Sequence, residues 1–139
     1  MFITRKAEFS ASHVCRLPHL SAAENSALYG AAANANGHGH NYTLEVTLEG
    51  DPDPVTGMVM DLKQLKDILN DVVVEPMDHR FLNYEVPPFD RKVPTAENIA
   101  SEIWLRLSPH FQSGPAQLSR VRLYETADLY VDVTAENGA

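Results

Sequence analysis

Alternating apolar and polar residues mark two long extended segments near the start of the chain. Between residues 40 and 49, Tyr42, Leu44, Val46 and Leu48 alternate with polar side chains. This period of two is typical of a strand with one buried face. The first thirteen residues alternate more loosely, and a strand there places Phe9, Ala11 and His13 on one face. The pattern also predicts strands over residues 118–125 and 129–134, joined by a tight turn at residues 126–128.

Helical periodicity and capping residues separate the two pairs of strands. Ser21 and Glu24 form a capping box that predicts a short helix, which Gly30 closes. Residues 57–62 are expected to form a short strand that leads into a longer helix capped by Asp61. The apolar stripe of that helix consists of Leu62, Leu65, Ile68, Leu69 and Val72.

A further amphipathic helix is predicted after Thr95, its expected N-cap. Ile99, Ile103 and Leu107 mark the inner face of this helix. Prolines at positions 76, 87 and 88 break regular structure between the two main helices.

This order of elements predicts an α+β fold in a single domain over residues 1–139. The simplest arrangement is a four-stranded antiparallel sheet with two helices on one face. The other face then meets solvent, a ligand or another subunit. Because long edge strands favour pairing with another chain, we expect a homo-oligomer formed by sheet extension.

Composition narrows the range of functions. The chain has 139 residues, 44% of them hydrophobic, and a formal net charge of −8. That charge, without any basic cluster, argues against a nucleic-acid or membrane partner. The only cysteine is Cys15, which excludes an intramolecular disulfide and a four-thiolate zinc site. The first residues lack the apolar stretch of a signal peptide, so we expect a cytoplasmic protein.

Histidines provide the first candidate chemistry. His38 and His40 are two residues apart, and a strand that begins near Gly37 points both rings to one face. If the first two strands pair, His13 can join them. Three imidazoles with an open fourth position are typical of catalytic zinc. A surface loop is the alternative interpretation, and His19 and His110 are interpreted as ordinary histidines.

Two polar groups later in the chain are weaker candidates. An aspartate such as Asp78 can orient a neighbouring imidazole such as His79, although a structural loop pair explains them equally well. Glu125, at the end of a strand, could accept two N–H groups of a ligand or simply be solvated. Helix capping and first-turn acidity already account for Thr95 and Glu97.

Seven motifs in this order make the sequence resemble the 6-pyruvoyl-tetrahydropterin synthase family. That family also contains the bacterial 6-carboxy-tetrahydropterin synthase of queuosine biosynthesis. The matching motifs span nearly the whole chain: FSASH (9–13), LSAAEN (20–25), NGHGHNY (36–42), TGMVMDL (56–62), MDH (77–79), PTAEN (94–98) and YET (124–126).

The resemblance implies a tunnelling fold, in which subunits join their sheets into a barrel, commonly as a dimer of trimers with active sites at subunit interfaces. It also implies the roles of individual residues. His13, His38 and His40 would bind zinc. Glu125 would anchor the pterin ring, with Thr95 and Glu97 nearby, and Asp78 and His79 would form a proton-transfer pair.

The reaction implied by the resemblance starts from 7,8-dihydroneopterin triphosphate. The enzyme eliminates triphosphate and rearranges the side chain by internal redox chemistry. Zinc would act as a Lewis acid on the side-chain oxygens, while a base and an acid move protons. The −8 charge requires local cations for the triphosphate, and Arg16, Arg80, Arg91 and Lys92 are the candidates.

The chain departs from the family at the catalytic base. Pyruvoyl enzymes carry a cysteine six residues before the first histidine of HGH, where this chain has Ala32. The queuosine type carries it four residues before, where this chain has Asn34. A further subgroup uses a glutamate in this loop as the base, but no glutamate lies between Ala31 and Gly37.

Three explanations for the missing base stay open. Ala32 could be an introduced substitution. Another group could serve as base, with Cys15, Tyr29 and His79 as candidates. Alternatively, the protein could bind zinc and pterin without catalysis. The main hypothesis is a zinc-dependent lyase of the pyruvoyl or the queuosine type, and the competing one is this noncatalytic family member.

Overall fold

A mixed sheet with helices on one face forms the fold. The computed structural model describes residues 1–138. The strands are β1 (Phe2–His13), β2 (His38–Glu49), β3 (Arg80–Phe81), β4 (Gln117–Thr126) and β5 (Leu129–Thr134). The helices are α1 (Ala22–Tyr29), α2 (Leu62–Leu69), α3 (Glu75–Met77), α4 (Leu82–Glu85) and α5 (Ala96–Leu107). Short 3₁₀ turns follow α1 and α5, and one π-helical turn, Asn70–Val74, joins α2 to α3.

The sheet order is β3-β1-β2-β4-β5. The four long strands pair with one another in antiparallel fashion, which confirms the predicted α+β sheet. The expected strand count was wrong by one, because β3 adds a short parallel strand beside Ala11 and Ser12 of β1. Two residues are too few to show a periodic pattern. The position of β3 is set instead by a long-range bond, in which the amide of His79 donates to the carbonyl of Ser10 at 2.6 Å.

The short strand expected over residues 57–62 is absent. Residues 57–61 form a loop, and α2 begins at Leu62. The Met58 carbonyl accepts a bond from the amide of Asp53 in the same loop, at 2.9 Å, and not from a neighbouring strand. Val59 is nevertheless buried, so the apolar pattern there reflects a loop packed on the core.

The core lies between the sheet and its helices. Tyr42, Leu44, Val46 and Leu48 of β2 are completely buried, as their alternation predicts. The helices contribute the buried residues Leu65, Leu69, Ile99, Ile103 and Leu107. Leu62 was wrongly placed in the buried stripe, since it remains 47% exposed. It is the first residue of α2, so no preceding helical turn covers it.

Charged side chains cover the opposite face of the sheet. Arg122 of β4 binds Asp132 of β5 with two bonds of 2.8 and 2.9 Å. Glu45 of β2 lies 3.6 Å from Lys6 and 3.8 Å from Arg120. This face is therefore suited to water, a ligand or another subunit. Within residues 1–138, none of the helices has both the length and the apolar character that crossing a membrane would require.

Truncating a central core residue should destabilise the fold. Leu44→Ala removes a fully buried side chain from β2, and we expect a loss of about 2–5 kcal/mol in the free energy of unfolding. Leu105→Ala is the control, because Leu105 is 51% exposed on α5 and its loss should cost less than about 0.5 kcal/mol. Urea denaturation at one fixed protein concentration measures both. Equal losses for the two variants would contradict this assignment of the core.

Candidate metal and ligand site

Three histidines meet where β1 ends and β2 begins. In the antiparallel register, His13 lies opposite His38, and Ala11 lies opposite His40. Residues two apart on a strand share a face, so all three rings project to the helix-covered side. One nitrogen from each ring can be chosen so that all three lie within 4.8 Å of one another. The structure thus brings together the three residues that the sequence selected.

The carbonyl of Pro94 orients the first ring of this histidine cluster. It accepts a hydrogen bond from Nδ1 of His13 at 2.6 Å. Because a carbonyl can only accept, the Nδ1 atom carries the proton, and the neutral ring keeps its lone pair on Nε2. This Nε2 lies 3.1 Å from Nε2 of His38. Two nitrogen ligands of a tetrahedral zinc ion lie roughly 3.3 Å apart, so the observed spacing fits a shared cation.

Two ring nitrogens in the cluster have no hydrogen-bond partner within residues 1–138. Nδ1 of His38 and Nε2 of His40 are buried, and neither makes a hydrogen bond. A buried polar atom without a partner costs about 1–3 kcal/mol, a cost that a bound metal would offset at His40 Nε2. Burial, and secondarily the neighbouring histidines, lower the pKa of His13 to about 4. Burial also lowers the pKa of His40, so both rings are neutral near pH 7 and can donate lone pairs.

Glu125 is the acidic neighbour of the cluster. Its Oε1 atom lies 3.6 Å from Nε2 of His40. The pairing of β4 with β5 is irregular between Tyr124 and Thr126, so the strand is locally distorted at this carboxylate. Glu125 also helps to raise the pKa values of Cys15 and Tyr42, after the larger effect of burial at each. A carboxylate, a buried thiol and the histidines thus share one region.

The loop that precedes β2 packs against Cys15. Its 3₁₀ turn, Gly30–Ala33, places the Ala32 carbonyl 2.9 Å from the amide of Cys15, which donates to it. Asn34 uses its side-chain oxygen on the amide of Asn36, at 2.9 Å. Burial raises the pKa of the Cys15 thiol to about 11, which disfavours a thiolate at neutral pH. Tyr29 ends α1, directly before this turn.

Asp78 and His79 form a side-chain pair at the edge of β1. His79 Nδ1 lies 2.8 Å from Asp78 Oδ2, and the other Asp78 oxygen accepts the amide of Ser10 at 2.8 Å. The bond from Ser10, and then the one from His79, hold the pKa of Asp78 below its ordinary value. Adjacent residues can pair here because His79 has a left-handed backbone, with φ 59°.

This pair lies outside the cluster of ligand atoms. The His79 side chain is 83% exposed, and it lines an open cavity of about 490 Å³ together with Ser10, Gly39 and His40. Of the three cluster histidines, only His40 lines this cavity, so within one chain His79 and His40 border a common cavity while His13 and His38 do not.

Comparison with known proteins places this geometry in a family. The family profile described as 6-pyruvoyl tetrahydropterin synthase matches residues 2–136. The chain belongs to this family. A 6-pyruvoyl tetrahydrobiopterin synthase from Pongo abelii is 44% identical over 124 residues, which cover 89% of this chain and 84% of the relative. The predicted resemblance is confirmed.

A solved structure and a second relative extend the comparison. The 6-pyruvoyl tetrahydropterin synthase of Caenorhabditis elegans superposes with a TM-score of 0.90 at 37% identity, over 97% of this chain and 95% of that chain. A putative 6-carboxy-5,6,7,8-tetrahydropterin synthase from Archaeoglobus fulgidus is 36% identical over 93 residues, or 67% of this chain and 71% of the relative. Both branches of the family therefore resemble this chain, and the pyruvoyl relative is the more similar of these two, at 44% identity against 36%.

The remaining predicted site residues occupy three places. Thr95 caps α5 by accepting the amide of Asn98 at 3.3 Å, and Glu97 is exposed in the first turn. Arg16, Arg91 and Lys92 line a single cleft. Arg80 lies apart from them, in the cavity that His79 lines, and 3.6 Å from Glu85.

Sequence reasoning missed the residues that hold the site through their backbones. Pro94 orients His13 by its carbonyl, and Ser10 holds both Asp78 and His79. Both lie in matched motifs, FSASH and PTAEN, but they act through main-chain amide and carbonyl groups, which do not depend on the side chain, so the sequence did not indicate these roles.

Removing single imidazoles should abolish metal binding. We expect about one divalent ion per purified chain, and near zero after His38→Ala or His40→Ala, because each variant removes one of three ligands. His110→Ala should retain the metal, since His110 is exposed and lies after α5, outside the cluster. Elemental analysis after gel filtration measures the stoichiometry. Full metal content in both cluster variants would refute the site.

Proposed function

We propose that this chain is a zinc-dependent carbon–oxygen lyase that eliminates triphosphate from 7,8-dihydroneopterin triphosphate with rearrangement of the side chain. The observation that carries the proposal is the cluster of His13, His38 and His40, whose ring nitrogens converge beside Glu125. Membership of the 6-pyruvoyl tetrahydropterin synthase family supports this substrate. The higher sequence identity to the pyruvoyl relative, 44% against 36%, favours the pyruvoyl reaction over the 6-carboxy-tetrahydropterin reaction of queuosine biosynthesis.

The donor set fits zinc. Neutral imidazoles are ordinary zinc ligands, and three of them leave a fourth position open. A zinc ion held there would supply Lewis acidity to the oxygens of the substrate side chain. Pro94 would keep the His13 tautomer fixed, a second-shell interaction that is common in metal sites.

Glu125 would hold the pterin ring. Its carboxylate can accept two N–H groups of the amino-pyrimidine edge at once, and its position next to His40 brings the ring beside the metal. Thr95 and Glu97 belong to the same substrate-binding set, although capping already occupies the hydroxyl of Thr95.

Asp78 and His79 would move protons. Asp78 holds Nδ1 of His79 at 2.8 Å, which leaves Nε2 free to accept or donate a proton. The His79 side chain is exposed in the single chain, so it is available to a neighbouring subunit.

An oligomer would complete such sites. β3 covers only Ala11 and Ser12 of β1, and β5 is the opposite edge of the sheet. The apolar side chains of Phe2 and Leu129 on these edge strands are 63% and 48% exposed. Pairing β1 of one subunit with β5 of the next would cover them, in line with a barrel built as a dimer of trimers.

The loop before β2 favours a second candidate function. Ala32 occupies the family's cysteine position, and its methyl group cannot take a proton. The alternative is therefore a noncatalytic family member that binds zinc and pterin. Cys15 is one candidate replacement base, because its amide donates to the Ala32 carbonyl, but the raised pKa of its thiol opposes that role.

Turnover assays separate the two candidates. We expect the unmodified protein to convert 7,8-dihydroneopterin triphosphate slowly. The variant Ala32→Cys should accelerate the reaction by at least about 100-fold, a typical effect of an added general base. Cys15→Ala should leave the slow rate unchanged if Cys15 is not the base. Assays need a reductant, because a new thiol at position 32 would lie beside Cys15.

Two results would contradict the enzyme proposal or its details. If neither the unmodified protein nor Ala32→Cys turns over the substrate while both are folded and bind zinc, only the binding function remains. Loss of the slow rate in Cys15→Ala, with unchanged zinc content, would identify Cys15 as the base.

The proton-transfer role has its own test. In the Ala32→Cys background, Asp78→Asn should lower kcat by about 10²-fold or more and should change the zinc content little. Asp67→Asn removes the same charge from the exposed surface of α2 and should leave kcat unchanged. Similar kcat values for the two variants would exclude Asp78 from proton transfer.

A further inference from the structure

We propose that Arg16, Arg91 and Lys92 form a seat for the triphosphate group of the substrate, which we call the cationic cleft. This inference rests on the proposed function, because it names where the leaving group of that reaction binds. The sequence alone gave four scattered candidates for this task, and the structure places three of them around a single cavity of about 170 Å³.

The cleft has an ordered floor and wall. Phe89 lines it and is 2% exposed. Asn83 also lines it and is fixed to Val14 by two hydrogen bonds, one in each direction, of 2.8 and 2.9 Å. The amides of Arg91 and Lys92 both donate to the Pro88 carbonyl at 2.9 Å, so a single tight turn carries both cations. The cations therefore extend from ordered backbone.

Two segments of the chain connect the cleft to the histidine cluster. Arg16 follows His13 by three residues, and three extended residues span at most about 10 Å. Lys92 precedes Pro94 by two residues, and the Pro94 carbonyl is the group that binds His13. Long cationic side chains on these two segments can thus reach a phosphate chain attached to a substrate held at the cluster.

Two of the three cations of the cleft are available for an anion, while Arg91 neighbours Asp90, which also lines the cleft. Among residues 1–138, no carboxylate lies within 4.0 Å of the charged groups of Arg16 or Lys92, and Arg91 has only the exposed Asp90 at 3.7 Å. The contact of Arg91 is similar to those of Arg80 and Arg120, which lie 3.6 and 3.8 Å from carboxylates. Because the whole chain carries −8, a polyphosphate needs a local region of positive potential such as this one.

Direct titration with inorganic tripolyphosphate tests the cleft without requiring catalysis. The double variant Arg16→Gln/Lys92→Gln should bind tripolyphosphate about tenfold more weakly or worse than the unmodified protein. Lys63→Gln/Lys66→Gln is the matched control, because it removes two positive charges from the exposed side of α2 and should change the affinity by less than about twofold. Isothermal titration calorimetry at constant ionic strength measures the tripolyphosphate affinity of the zinc-loaded unmodified protein and of both double variants.

A second titration separates the triphosphate seat from the pterin pocket. The affinity for 7,8-dihydroneopterin, which lacks the triphosphate, should be the same in the cleft variant and in the unmodified protein. A loss of dihydroneopterin binding in the cleft variant would overturn the assignment, as would equal weakening by both double variants or no measurable tripolyphosphate binding to the unmodified protein.

Failure of the triphosphate seat and failure of the lyase function give different experimental results. If the cleft variant loses tripolyphosphate affinity while no form of the chain turns over a pterin, the seat stands and the lyase function fails. If turnover occurs and its KM for 7,8-dihydroneopterin triphosphate is unaffected by Arg16→Gln/Lys92→Gln, the lyase function stands and the seat fails.

Discussion

The antiparallel register of β1 and β2 is the constraint on which the site depends. It sets His13 opposite His38 and brings His40 onto the same face. The ring of His13 therefore meets two rings that lie at least 25 residues away along the chain. A shift by one residue would move every side chain of one strand to the other face of the sheet. The same register buries Tyr42, Leu44, Val46 and Leu48. The hydrophobic core therefore selects the pairing that also assembles the candidate metal site.

Backbone groups extend this constraint to segments far along the chain. Pro94, just before α5, binds His13, while Asp78 and His79 bind Ser10 of the same strand. The end of β1 thus serves as a common attachment point for the loop before α5 and for the turn that carries β3. These bonds explain how residues in three separated motifs keep fixed positions around the histidines.

The loop before β2 offers no proton acceptor at Ala32, although it leads directly into the histidine cluster. The chain keeps the histidines, the acidic neighbour and the Asp78–His79 pair, but Ala32 offers only its carbonyl, and that carbonyl is bonded to the amide of Cys15. The buried, high-pKa thiol next to it has the wrong protonation state for a base at neutral pH. The geometry that could hold a metal therefore does not require a proton acceptor at position 32.

Local patterns in the sequence were sufficient to determine the order of the four long strands and of helices α1, α2 and α5, the capping residues Ser21, Asp61 and Thr95, and the shared face of His38 and His40. These features follow from a period of two or 3.6 and from interactions between residues a few positions apart. Only the tertiary structure decided that β3 pairs with β1, that residues 57–61 form a loop, and that Arg16 joins Arg91 and Lys92 in one cleft while Arg80 does not. Each of these depends on main-chain hydrogen bonds or packing between distant segments, and no periodicity along the chain records such contacts.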